Sequence, residues 1–513
     1  MKRREKNTSM NKRILIPIKN GFVNFNTKHG AEIYRRSLSI LFECAIWELY
    51  PDLRVQVGQT LMKGYYYEPV KGELPGDFVK NVTQRMHEII KKNEKFRVVV
   101  YPKKKALLLC KRRNRMDKYR AIFHLPIKKI EFVFLRNYFD FLLAEPVKST
   151  SVLKTFRIIK YNNGVILQFP VRGEIDRLPE VKDRQRKLYK VYLEAKKWGE
   201  ILGVQNAGDL NEAIFNGEIR NLILVQEAFH EKKIAEIADK IINVFPRKKL
   251  ILIAGPSASG KTTFIKRLGV QLRAGNIIPL EISLDNYFVP REKTPKTPDG
   301  EYDYDSLKAV DLKFFRKQIK NLLEGKEIKV PDFNFRKGVR EFKGERMKMS
   351  ANSVLLVEGI HALNPQLLPE IPERNKYKIF VSALTQLRID NDNRIFTSDS
   401  RLLRRIIRDY KYRGYSAEET IMRFPKVRQA EDNYIFPYQN RCDVFFNSYL
   451  FYEQAVIKKM VECFLRKIKK SSPAYFEARR LLYYLRFFLP ISLKRVPQNS
   501  ILREFTGKSS FHY

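Results

Sequence analysis

The sequence predicts an α/β fold: a parallel sheet flanked by helices over residues 247–450, an α+β module before it and a helical segment after it. Three observations carry this. Short apolar runs alternate with helical stretches in the long middle region, namely "KLILIAG", "IIPLEISLD", "VLLVEGI" and "YKIFVSA". Strands buried on both faces read as unbroken apolar runs, so these belong to a parallel sheet with helices on its faces. In the first part of the chain, apolar residues at helical spacing in "FVKNVTQRMHEIIKKN" neighbour the strand-like "FRVVVYP" and "IEFVFL", which mixes both element types. The chain after residue 450 is helical and rich in Tyr and Phe.

Taken in order, residues 1–170 open with the strand-like "RILIPI", a helix from Glu32 to Leu49 stopped by Pro51, a strand at Tyr65–Tyr67 and a second helix over about 78–93. Residues 171–246 read as a helical connector built on "LYKVYLEAKKWGEILG" and "VQEAFHEKKIAEIADKIINVF", closed by Pro246 and a basic run. Residues 247–450 form the α/β region and 451–513 the helical end. A length of 513 residues agrees with about three domains, and 44% hydrophobic content supplies their cores.

The net charge of +43 has two readings. One is a polyanionic partner, RNA or a polyphosphate; the other is basic residues spread over every solvated face, as in "KKKALLLCKRRNR". The four cysteines, Cys44, Cys110, Cys442 and Cys463, form no CxxC pair, and the six histidines have no metal-ligand spacing. This points to inert thiols in a reducing compartment. No apolar run reaches the length of a membrane span, and the apolar stretch near the basic start is too short for a signal peptide, so the expected location is cytoplasmic, with no membrane partner.

The strongest motif is "LILIAGPSASGKTTF", which sets Gly255, Gly260, Lys261 and Thr262 in the GxxxxGK[ST] pattern between a strand and a helix. The loop Gly255, Pro256, Ser257, Ala258, Ser259, Gly260, with Lys261, Thr262 and Thr263 opening the helix, is the expected nucleotide cradle. Its N–H groups and the helix dipole face the phosphates. Lys261 is expected to reach the β- and γ-phosphates, and the Thr262 hydroxyl to hold a magnesium ion.

In open α/β sheets ligands sit at the carboxyl ends of strands. Asp285, ending "EISLD", is thus the candidate base for an acceptor hydroxyl, and Glu358, ending "VLLVE", the candidate second metal anchor. His361 is read as structural. In "DSRLLRRIIRDY", Arg401, Arg404, Arg405 and Arg408 share one helix face opposite Leu402, Leu403, Ile406 and Ile407. Like charges at such spacings cost roughly 0.2–0.5 kcal/mol per pair, a repulsion that a bound polyphosphate would offset.

On "GPSASGKTTF", "SLDNYF", "YDYDSL", "FNFRKGVR", "VEGI", "DSRLLRRIIRDYKYRG" and "FPYQ", residues 247–447 resemble the uridine kinase and phosphoribulokinase family. The resemblance implies a P-loop kinase that uses ATP and Mg2+. It implies Asp285 as base for a ribose 5′-hydroxyl, Asp303 on the sugar hydroxyls, and Arg401, Arg404 and Arg408 as lid arginines over the phosphates. It implies Thr262 and Glu358 on the metal side, and Tyr287, Phe333 and Arg340 around the acceptor. One departure is clear: where uridine kinases carry Tyr-Asp-Phe followed by a base-contacting His, this chain has Phe333, Asn334, Phe335 and then Gly338. The longer chain, with "HEKKIAEIADKI" and "NSILREF", resembles a bacterial architecture in which a synthetase-like module precedes the kinase. "CAIWELYPD", "VGQTLMKGYYYE" and "QRMHEIIKKN" resemble the second additional domain of threonyl-tRNA synthetase. That domain carries HxxxH ligands; Arg36 and Ile40 stand at the corresponding positions and cannot hold zinc.

The expected function is therefore phosphoryl transfer from ATP to the hydroxyl of a small substrate, a nucleoside in the first place. A sugar phosphate is the alternative acceptor, and an RNA-binding protein with a nucleotide-dependent switch the alternative class. The oligomeric state is not legible.

Overall fold

The computed structural model describes residues 14–181, 186–297, 300–334 and 337–512. The basic start through Arg13, and Phe335 of the acceptor-side motif, lie outside the described residues. The chain divides into two compact units. One contains residues 1–186, 205–212 and 386–394; the other contains 187–204, 213–385 and 395–513.

The first unit opens with β1 (Leu15–Ile18), β2 (Gly21–Asn24), α1 (Lys28–Leu49), β3 (Val55–Leu61), β4 (Gly64–Pro69) and α2 (Phe78–Lys91). It continues with β5 (Arg97–Pro102), α3 (Lys103–Arg112), α4 (Met116–Phe123), β6 (Lys129–Leu135), β7 (Tyr138–Phe141), β8 (Arg157–Tyr161) and β9 (Gly164–Gln168). Among the described residues these strands form three antiparallel sheets, in the orders β1-β2, β3-β4-β9-β8 and β5-β6-β7. Helix α1 starts four residues before the expected Glu32, because the Thr27 hydroxyl accepts the Gly30 N–H at 3.0 Å and caps it there. The charge run at 103–112 is a helix, with Ala106 and Cys110 buried one turn apart.

Beside its apolar core this unit contains a buried ionic cluster. Lys118, fully buried, pairs with Asp140, Asp390 (3.2 Å) and Asp392 (2.8 Å). Arg115 pairs with Asp117 at 2.9 Å and with Asp392, and Arg36 pairs with Asp140. The carboxylates of Glu43, Asp140 and Asp392, and those of Asp117, Asp390 and Asp392, come close enough together to suggest metal sites. Three cations of the chain itself are paired with the four aspartates, and Glu43 accepts the Tyr138 hydroxyl. Arg36 thus lies in a salt bridge and Ile40 in the apolar core.

The connecting helices are α5 (Arg186–Leu202), α6 (Ala207–Phe215) and α7 (Ile219–Val244). The second unit continues with β10 (Leu250–Ala254), α8 (Lys261–Ala274), β11 (Ile278–Ser283), α9 (Leu312–Leu323), β12 (Ile328–Lys329), β13 (Asp332–Asn334), β14 (Val339–Glu341) and β15 (Arg346–Met347). It ends with β16 (Ser353–Glu358), β17 (Lys376–Ser382), α10 (Thr397–Arg408), α11 (Ala417–Tyr434), β18 (Val444–Asn447), α12 (Glu453–Leu465), α13 (Tyr475–Leu485) and α14 (Arg503–Thr506). The expected parallel sheet is present, in the order β11-β16-β10-β17-β18 with every pair parallel. Its β10 and β16 are apolar and buried almost throughout, as unbroken apolar runs require, and β17 is buried along its whole length although it includes Lys376 and Lys378. Helix α7 belongs to this unit: Arg267 of α8 pairs with Glu227 (3.4 Å) and Glu231 (2.7 Å) of α7.

No helix among the described residues is long and apolar enough to cross a membrane. Cys44, Cys110 and Cys442 are buried, Cys463 is exposed, and all four are free thiols.

Candidate active site

Strand register assembles the site. In the parallel ladder Ser283 of β11 lies opposite Glu358 of β16, and Glu358 lies opposite Ile253 of β10. The glycine-rich loop, Glu358 and Asp285 therefore emerge side by side at the carboxyl edge.

The loop is shaped by two glycines. A Cβ on Gly255 would stand 2.1 Å from the Val381 carbonyl oxygen, so only glycine lets the loop pass β17. Gly260 has φ +84°, the left-handed region, and precedes α8 directly. Ala258 also adopts positive φ (57°). Lys261 donates to the carbonyl oxygens of Gly255 (3.0 Å) and Pro256 (3.3 Å), and burial lowers its pKa. Thr262 is half-buried at the second position of α8. Ser259 is buried, and its carbonyl oxygen accepts the Ser448 hydroxyl. Thr263 donates its N–H (3.1 Å) and hydroxyl (2.9 Å) to Glu504, a residue the motif reading did not include.

Glu358 has its carboxyl pushed up to about 7 by burial; Lys261 opposes that rise, while Asp285 and Glu504 add to it. Asp285 is exposed on a 3-10 turn, Leu284–Tyr287, that follows β11. Asp303 accepts the Tyr434 hydroxyl at 3.4 Å. Asp305, in the same "YDYDS" stretch, is pushed up to about 6 by burial, against the pull of Arg405. His361 is buried against Tyr434, and burial lowers it to about 4, which keeps it neutral and fits its structural reading.

The arginine helix corrects one expectation. Its repulsion is offset by carboxylates of the chain. Arg401 pairs with Glu431 (3.0 Å from Nη1, with a second contact from Nη2), Arg404 with Glu453, and Arg405 and Arg408 each with Asp409 at 3.0 Å. Arg404, expected on the nucleotide, is wholly buried and spends its donors on Glu453 and Ser448. The loop contacts come from Arg401, Arg405 and Arg408. Arg401 Nε donates to the Ser257 carbonyl oxygen (3.0 Å), and Arg405 (2.8 Å) and Arg408 (3.4 Å) donate to its hydroxyl. A five-residue π-helical turn, Asp409–Arg413, ends this helix at Gly414. There Arg413 is lowered to about 10 by burial and by Arg408.

Two acceptor-side expectations also change. Tyr287 is a core residue, 1% exposed and packed on Phe314 and Phe315. Arg340 is drawn into structure: it pairs with Asp311 (3.2 Å), donates to the Tyr287 and Phe288 carbonyl oxygens and stacks on Phe314 at 4.4 Å. Phe333 is buried against Phe288 on the β13–β14 hairpin. Glu431, Glu453 and Glu504 lay beyond sequence reasoning, since each meets its partner across 30 residues or more with no local spacing to mark it.

A parallel sheet, a glycine-rich phosphate loop at its carboxyl edge and an arginine helix over that loop define a P-loop kinase. Residues 250–451 match the phosphoribulokinase / uridine kinase family. The uridine-cytidine kinase B of Dictyostelium discoideum is 32% identical over 196 residues, 38% of this chain and 72% of that protein. A uridine kinase of Ureaplasma parvum serovar 3 is 28% identical over 196 residues, covering 86% of its length. A threonine–tRNA ligase of Ehrlichia ruminantium is 26% identical over 230 residues, 44% of this chain but 36% of the ligase. The chain belongs to the phosphoribulokinase / uridine kinase family and is an ATP-dependent kinase of a small substrate. It carries a ligase-like module before the kinase region.

Proposed function

We propose that the chain transfers the γ-phosphoryl group of ATP to a hydroxyl of a nucleoside. The observation that carries this reading is the register that brings Asp285, Glu358 and the loop of Lys261 to one edge of the sheet. Asp285, exposed past β11, takes the proton of the acceptor hydroxyl. Lys261 leaves the loop carbonyls to hold the transferring phosphate, with Arg405 and Arg408 moving from Ser257 to its oxygens. Asp303 and Tyr434 hold sugar hydroxyls. The uridine kinase relatives support the nucleoside class, and the replacement of the base-reading residues by Phe333, Asn334 and Gly338 leaves the base itself open.

A magnesium ion fits the donor set. A carboxylate at Glu358 that burial disfavours is relieved by a cation, and the half-buried Thr262 opens the helix that follows the loop. Thr262 and Glu358 would hold it, and it would neutralise charge on the β- and γ-phosphates. The ligase-like module is read as a binding or structural element without hydrolytic editing, because an ion pair of Arg36 stands in place of metal ligands.

The test is ADP release with ATP and Mg2+ against a panel of nucleosides, ribulose 5-phosphate and no acceptor. Turnover that requires a nucleoside supports the reading. Turnover with the sugar phosphate alone replaces the acceptor, and ATP binding without turnover on any acceptor favours a nucleotide switch, to be followed by RNA binding.

A further inference from the structure

The C-terminal segment lies on the phosphate loop. Ile501 stands where a Cβ on Gly260 would come within 2.5 Å of its Cγ2 atom. The Phe505 ring lies 5.2 Å from the Arg404 guanidinium, and Lys411 of the π-helical turn donates to the Thr506 carbonyl oxygen. Arg503 secures the segment to its own approach through the carbonyl oxygens of Leu493 (3.0 Å) and Val496. Glu504 is held between these anchors, with one carboxylate oxygen accepting both the N–H and the hydroxyl of Thr263.

Thr263 is the third residue of α8. First-turn N–H groups of a helix have no partner within it, and in a loop of this type they cradle the phosphates of the nucleotide. Glu504 puts a fixed negative charge on one of those donors. Asp285 and Glu358 face the same lysine, so the segment adds a third carboxylate to a place that must receive a polyanion.

We propose that Glu504 is an affinity-setting residue that competes with the nucleotide: its carboxylate takes the Thr263 N–H, and the phosphates of ATP must displace it to enter the loop. This rests on the reading of the loop as the ATP site. Displacement withdraws Glu504 from α8, and the contacts of Phe505 with Arg404 and of Thr506 with Lys411 pass that movement to the arginine helix and its π-helical turn. ATP affinity and the position of the arginines are coupled through one short segment.

The experiment is calorimetric titration of the full chain with MgATP, comparing wild type, Glu504→Gln, Glu504→Ala and Lys261→Ala, each checked by thermal melting. Glu504→Gln keeps the shape and an acceptor for Thr263 but removes the charge. It is expected to bind ATP about tenfold more tightly, with a matching fall in KM for ATP. Glu504→Ala is expected to do the same if it folds; the Gln variant decides if it does not. Unchanged or weaker binding by a folded Glu504→Gln variant overturns the competitor role and leaves Glu504 as a cap of α8. If Lys261→Ala binds ATP as wild type does, the loop reading fails. If it loses ATP while Glu504→Gln gains nothing, only the inference fails.

Discussion

Arg404 donates two hydrogen bonds to Glu453, 2.7 Å from Nε and 2.6 Å from Nη2, and both side chains are completely buried. Removing one partner strands the other charge in the interior, at a cost of about 3–5 kcal/mol. Arg404→Ala is therefore expected to lower the melting temperature sharply and to lose activity through loss of fold, measurable by thermal and urea denaturation.

Arg408 behaves differently. It is partly exposed, and its contacts are with Asp409 and the Ser257 hydroxyl. Arg408→Ala is expected to leave the melting temperature within a few degrees of wild type while lowering kcat about 10²-fold, as when one transition-state donor is removed. Steady-state kinetics beside a melting curve separates it from Arg404→Ala.

Asp285→Asn is expected to reduce kcat roughly 10²–10⁴-fold, the range for loss of a general base. Asp285 shares the neighbourhood of Lys261 with Glu358 and Glu504, so loss of its charge should not weaken ATP binding, and the defect should appear in kcat. Transfer at the wild-type rate would remove Asp285 from its role.

Two buried histidines set an acid limit. Burial lowers His230 to about 3 and His361 to about 4. In the unfolded chain both take a proton near pH 6.5, while in the fold they stay neutral. The unfolded state then binds more protons, so stability is full above about pH 6.5 and falls as pH drops toward 4, by up to about 1.4 kcal/mol per pH unit for each histidine. Urea unfolding between pH 7 and 4.5 should show this slope, and a folded His230→Gln variant should flatten it.

The ion cluster of the ligase-like unit gives a parallel test. Lys118→Met leaves Asp140, Asp390 and Asp392 without their shared ammonium. The expected loss is about 3–5 kcal/mol, read by denaturant unfolding.

The parallel sheet was legible because strands covered on both faces leave continuous apolar runs, and β10 and β16 do so almost residue for residue. The phosphate loop was legible because its glycines and lysine are contiguous. The arginine helix was only half legible. Its periodicity gave the helix, but the carboxylates that neutralise it, Glu431, Glu453 and Asp409, come mostly from distant sequence and are chosen by packing. The same holds for Glu504, whose hydrogen bond to Thr263 spans 241 residues. Arg340 and Tyr287 show the same limit: pattern shows that a residue is near a motif, but not that a neighbour such as Asp311 or Phe315 engages it.

The interleaving of the two units limits how the protein can be taken apart. The chain changes unit at 186/187, 204/205, 212/213, 385/386 and 394/395. A cut at residue 246, just before the region that matches the kinase family, would remove α7 and leave Arg267 without Glu227 and Glu231. It would also leave residues 386–394 on the catalytic fragment while their partners Arg115 and Lys118 went with the other. Expression of the kinase region by a single truncation would thus yield a fragment with an uncovered helix and an acidic loop stripped of its cations. Genetic dissection of this chain is better done by point substitution within the intact polypeptide.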